Sequence, residues 1–141
     1  METTTKTKIT VETIIQAPVQ KVWNYWTDPK HITQWYHASD DWHAPHAENN
    51  LQNGGAFTTT MAAKDGSFSF DFAGVYDKVE ELKNINYTLN DGRRVTIDFT
   101  GGDDTTTVKQ TFEAEETHSE EMQKTGWQAI LDNFKKYVET N

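Results

Sequence analysis

One stretch of this chain, at its C-terminal end, carries an apolar stripe long enough to make a long helix. Met122, Trp127, Ile130, Leu131, Phe134 and Val138 fall at helical spacing, the mark of an amphipathic helix with one buried face. Thr117-x-x-Glu120 stands just ahead of it as a capping box, with further acids that favour a helix N-terminus. The pattern places this helix over 118–139, roughly five turns or more. Most of the preceding chain alternates with period two. A sheet built from such strands has one apolar face to cover, and no other segment is long enough to cover it. The predicted class is α+β, a curved antiparallel sheet wrapped around the long C-terminal helix.

The strands can be read in order. After a polar tail, Ile9, Val11, Thr13 and Ile15 alternate with Thr10, Glu12 and Ile14, as in a strand with one buried face. Pro18 suits a first helical position, and Val19, Val22, Trp23 and Trp26 follow on one helical face. Asp28 and Pro29 then cap and open a second short helix bearing Ile32, Trp35 and Tyr36. Helices are thus expected over 18–27 and 28–36. An irregular strand is expected over 42–48, and others over 55–64, 67–82, 84–89, 93–99 and 105–112. Asp65-Gly66, Asp91-Gly92 and the Gly101-Gly102-Asp103-Asp104 run supply hairpin turns. Phe68, Phe70 and Phe72 share one parity while Val75 and Val79 share the other, which predicts a bulge at Ala73-Gly74. Gly126, beside Trp127 in the long helix, is expected to mark close approach of helix and sheet. Its replacement by Ala should then destabilise.

All of this reads as a single domain over 1–141, with its ordered part about 8–139. Hydrophobic residues make up only 35%, but five Trp, five Tyr and seven Phe supply much burial per residue. Thirteen basic against 22 acidic residues give a net charge of −9, which argues against nucleic acid and anionic membranes as partners. With no Cys there is no disulfide or thiolate chemistry. No leader-like or membrane-spanning apolar run is present, and the expected location is the cytoplasm.

Ala17-Pro18-Val19-Gln20-Lys21-Val22-Trp23, Thr27-Asp28-Pro29 and Gln34-Trp35-Tyr36 resemble the opening of SRPBCC proteins, in the branch of heat-shock protein 90 ATPase activator homologues. Gly74-Val75-Tyr76, Leu89-Asn90-Asp91-Gly92-Arg93 and the Gly126–Phe134 segment agree as well. The resemblance covers about 8–139. It implies the helix-grip fold of birch-pollen-allergen-like and START-like proteins. The superfamily includes lipid and hormone carriers, polyketide cyclases and ring-hydroxylase subunits, so the fold alone transfers no activity.

Three functions stay open on these grounds: a carrier or sensor of a small apolar or lipid-like molecule, a chaperone-interaction module, and an enzyme of cyclase or hydratase type. A cavity between sheet and helix would be lined by Trp35, His46, Phe57, Phe68, Phe70, Val95, Phe99, Trp127, Ile130 and Phe134. The alternative is a solid core, since interiors rarely leave voids. His31, His37, His43 and His46 lie close together with Asp40 and Asp41, yet at no standard metal spacing. Neither a metal nor another cofactor is expected. His46, in parity with Trp42, is the one acid–base candidate, while Asp98 should face outward. No phosphate-binding glycine loop or serine nucleophile motif appears, so catalysis is the less favoured reading.

Overall fold

The computed structural model describes residues 7–141; the polar tail before Thr7 lies outside them. The elements are β1 (Lys8–Ile15), α1 (Val19–Thr27), α2 (Pro29–Trp35), β2 (Trp42–Asn49), β3 (Ala56–Ala63), β4 (Ser69–Glu80), β5 (Asn84–Leu89), β6 (Arg94–Gly101), β7 (Thr106–Glu113) and α3 (Glu120–Thr140). The seven strands form one antiparallel sheet in the order β1-β7-β6-β5-β4-β3-β2. Six consecutive strands are thus a meander, and β1 closes the far edge against β7. The sheet curls into a half-barrel, and α3 lies in its concave face, the helix-grip arrangement expected from the sequence.

Period-two burial holds wherever the core is thick. Ile9, Val11 and Ile15 point in from β1, Val95, Ile97 and Phe99 from β6, and Val108, Gln110 and Phe112 from β7. Asp98 is exposed, as its parity requires. From α3, Leu131, Phe134 and Val138 are completely buried. Phe134 is gripped by the two short helices, its ring centroid 4.8 Å from Trp26 and 4.5 Å from Trp35. Truncating a ring so placed costs about 3–5 kcal/mol, a large share of a small domain's stability. The same half of α3 is tied to the end of β1: Glu139 accepts from the Gln16 N–H at 2.8 Å, and Lys135 donates to the Ile14 carbonyl at 2.8 Å.

Four local readings are corrected. The long helix is capped by Ser119, whose Oγ accepts from the Met122 N–H at 3.1 Å. Thr117 sits instead in a turn closed by Glu115, which accepts from the His118 N–H. Pro18 is the cap of α1 rather than its first residue. In the first turn of α3 the inward residue is Gln123, whose carboxamide bonds both N–H and C=O of Glu115 and the His118 carbonyl; Met122 is 62% exposed. Finally, β4 keeps one parity through Phe70, Phe72, Gly74 and Tyr76, and Val75 faces out. The extra residue is Asp77, where the pairing with β5 shifts between Tyr76 and Lys78. Gly74 has another purpose: a Cβ there would lie 2.4 Å from the Thr88 carbonyl oxygen, so the neighbouring strand approaches too closely for a side chain.

Gly126 also reads differently in the fold. A Cβ at this position would meet nothing within 4 Å, so no packing opposes it. A mid-helix glycine costs about 0.5–1 kcal/mol relative to alanine. Gly126→Ala is therefore expected to raise the urea midpoint, and a lowered midpoint would show a close contact at Gly126 after all.

Candidate functional site

The two halves of α3 meet the sheet differently. Leu131 onward packs solidly, whereas every residue from Gly126 to Ile130 keeps some exposure. The sheet curls away at β3 and β4, and a cavity of about 320 Å³ opens between them and the helix. Met61 from β3 and Phe70 and Phe72 from β4 form one wall, and Gly126, Trp127 and Ile130 form the other. Trp127 is held flat against Phe112, with centroids 3.8 Å apart and planes 9° apart, and meets Phe72 edge-on at 5.9 Å. Trp26 and Tyr36 close the inner end, and Gln110 reaches the cavity from β7.

Polar groups sit at two levels. At the rim, Arg93 Nε donates to Asp91 at 2.8 Å, and His118 Nδ1 lies 2.9 Å from Glu115. Deeper, three tyrosines cluster. Tyr76 donates to Asn49 Oδ1 and Tyr87 bonds Gln110. Burial pushes all three phenols, Tyr36, Tyr76 and Tyr87, well above the ordinary tyrosine range; neighbouring phenols add to this for Tyr36 and Tyr87, and the Asn49 hydrogen bond opposes it for Tyr76. They are neutral hydrogen-bonding groups at any physiological pH. A second cavity of about 40 Å³ lies behind them and shares Trp26, Tyr36 and Phe72 as walls.

Of the residues singled out from sequence, Phe70, Trp127 and Ile130 come together around the main cavity. Phe57 borders only the small one. Trp35, Val95, Phe99 and Phe134 are solid core. Phe68 is 59% exposed and rests on Trp42 before β4 begins. His46 is turned outward, 3.6 Å from Glu48, because the β2–β3 register slips between His43 and His46. Among the described residues no three His, Asp or Glu side chains gather as metal ligands, and no helix is long and apolar enough to cross a membrane. Sequence reasoning missed Trp26, Met61 and Phe72 in the walls and, among the polar groups, Tyr36 and Gln110. For Gln110 a signal existed, a polar side chain at the inward parity between Val108 and Phe112.

A family model described as activator of Hsp90 ATPase homolog 1-like protein matches residues 16–139. The chain belongs to this family. An AHSA1-like protein from Aeromonas hydrophila is 44% identical, with a TM-score of 0.87 over 95% of this chain and 93% of that one. A protein from Cytophaga hutchinsonii is 56% identical, with a TM-score of 0.81 and the same two coverages. A Chromobacterium violaceum protein shares the fold at 20% identity, with a TM-score of 0.83 over 96% of this chain and 99% of that one. No curated protein matches. Membership in the AHSA1-like family places the chain in the START-like superfamily, a class of domains that bind ligands or interact with chaperones.

One contact fixes α3 relative to the end of α2 in this AHSA1-like domain. Asn133 Nδ2 donates to the Trp35 carbonyl at 2.9 Å and lies 2.9 Å from His37 Nε2. Accepting there requires a neutral ring. Desolvation, then Lys64, lowers the His37 pKa below 6.5; Asp40 opposes this and His43 adds to it. A lowered folded pKa contributes stability that is present above about 6.5, the unfolded value, and is lost as pH falls through the folded one. The wild-type melting temperature should therefore fall more between pH 7.5 and pH 5 than that of His37→Gln; equal losses would remove His37 as a cause.

Proposed function

We propose that the chain is a carrier or sensor that holds a small apolar molecule in the cavity between α3 and strands β3 and β4. The observation that carries this is the open space facing Gly126, in a helix whose Leu131, Phe134 and Val138 are completely buried. A volume of about 320 Å³ falls in the range of small-molecule sites, and walls of aromatic and aliphatic side chains with a few polar groups are their usual lining. Acid–base chemistry has less support. The rim His118 is paired with Glu115, His46 is remote, and the buried tyrosines are held neutral. A chaperone-interaction role is the second reading. The family description favours it, as does an aromatic cluster beside the cavity lip in which Phe68 and Phe70 are exposed and Trp42 is half-buried.

The test pairs a ligand panel with a plugged cavity. Lipids, flavonoids and polyketides are screened by thermal shift and Trp fluorescence, with Trp127 as the reporter in the wall. A ligand at a hundred times its Kd stabilises by about 2.7 kcal/mol, a rise of roughly 5–10 °C in a domain of this size. Gly126→Leu, which projects a side chain into the open space, should stay folded and lose that response. Shifts that persist in Gly126→Leu would place binding elsewhere. A silent panel, together with capture of heat-shock protein 90 in a pull-down, would favour the chaperone reading.

A further inference from the structure

The cavity is not uniformly apolar, and its polar groups differ in whether they are already used. At the rim, the Arg93 guanidinium is committed to Asp91 and also lies within the field of Glu115, so it offers no free positive charge to an anion. At the inner end, the Tyr76 hydroxyl is satisfied by Asn49 and that of Tyr87 by Gln110. Tyr36 lines both cavities, its ring tilted against Trp35 and Phe72; its hydroxyl has no hydrogen-bond partner among the described residues, and it is not one of the polar atoms sealed from water without a partner. Facing open space, the phenol can bond water, and an apolar ligand that displaced this water would leave the donor unmatched at a desolvation cost. A bound oxygen acceptor would relieve that cost.

Resting on the ligand-holding function above, we infer that the cavity selects a neutral molecule with an apolar, ring-sized body and one carbonyl-type oxygen, which accepts from Tyr36 at the inner end. The body lies against Phe70, Trp127 and Ile130, and the Gln110 carboxamide borders the inner end. Burial holds the Tyr36 phenol protonated, so it remains a donor whatever the pH of the cell. Because Arg93 is already paired and acids flank it, a carboxylate gains no counter-ion on entering.

The experiment compares 2-acetylnaphthalene with its isostere 2-isopropenylnaphthalene, which replaces the ketone oxygen by a methylene, and with 2-naphthoate. Dissociation constants are measured by isothermal titration calorimetry on the wild-type chain and on Tyr36→Phe. The substitution removes one oxygen that bonds nothing in the protein, and a melting curve verifies that the variant is folded. Loss of one hydrogen bond is expected to weaken the ketone by about three- to tenfold. The hydrocarbon should change by less than about twofold, so the effect appears as a coupling between hydroxyl and ketone. The carboxylate should bind wild type at least about tenfold more weakly than the ketone, as expected for an uncompensated buried charge. If both neutral compounds bind and Tyr36→Phe affects them equally, the Tyr36 assignment is wrong while the ligand-holding function survives. Tighter binding of naphthoate than of the ketone overturns the preference for a neutral ligand. Failure of all three to bind wild type defeats the ligand-holding function and this inference with it.

Discussion

A half-barrel sheet leaves a concave apolar face, and in this chain a single straight helix has to cover it. Contact is complete only where the two surfaces run together. There, Phe134 is wedged between Trp26 and Trp35, and Leu131 and Val138 are sealed from water. Lys135 and Glu139 pin the same half of the helix to β1 and the segment after it. Toward its N-terminus the helix meets β7 through the Phe112–Trp127 stack, and β3 and β4 curl away from it apart from the edge contact of Phe72 with Trp127. The cavity is the geometric remainder of that mismatch. Its position opposite Gly126 follows from which half of the helix is anchored.

The polar interior follows from the same geometry. Closing the first turn of α3 over the sheet requires a partner for the Glu115 and His118 backbone groups, and Gln123 supplies it from the buried face. Where α3 passes the end of α2, Asn133 does the same for the Trp35 carbonyl. Tyr76 and Tyr87 have partners because they sit where sheet and short helices press together. Tyr36 stands at the boundary with the open space and has none among the described residues. A donor that faces open space rather than a protein partner is one that a ligand can match.

Much of the fold was legible because burial here is one-sided. Alternation along β1, β6 and β7 and the stripe of α3 each record a single covered face, and Asp28 caps α2 as its position suggests. Three features were not legible, each for a physical reason. A bulge residue that faces water leaves no apolar trace, so Asp77 was invisible and Gly74 drew the eye instead. Two cap-competent residues stand near the start of α3, and the choice of Ser119 depends on the Glu115–His118 turn, a contact outside the helix. The site was read only in part, through Phe70, Trp127 and Ile130. Parity marks what faces inward but not where an inward face stops touching its partner. Phe99 and Phe134 face inward into solid core, and Phe68 shares the parity of Phe70 yet lies before the strand begins.

The account turns on whether the space beside Gly126 is an occupiable site. The direct measurement is a methyl NMR titration of Met- and Ile-labelled protein with 2-isopropenylnaphthalene. Methyls of Met61, Met122 and Ile130, from three sides of the cavity, should shift together along one binding curve, while Ile15 and Ile97 in the sealed core stay nearly still. Shifts spread over the core methyls, or none at Met61 and Ile130 at saturating compound, would contradict it.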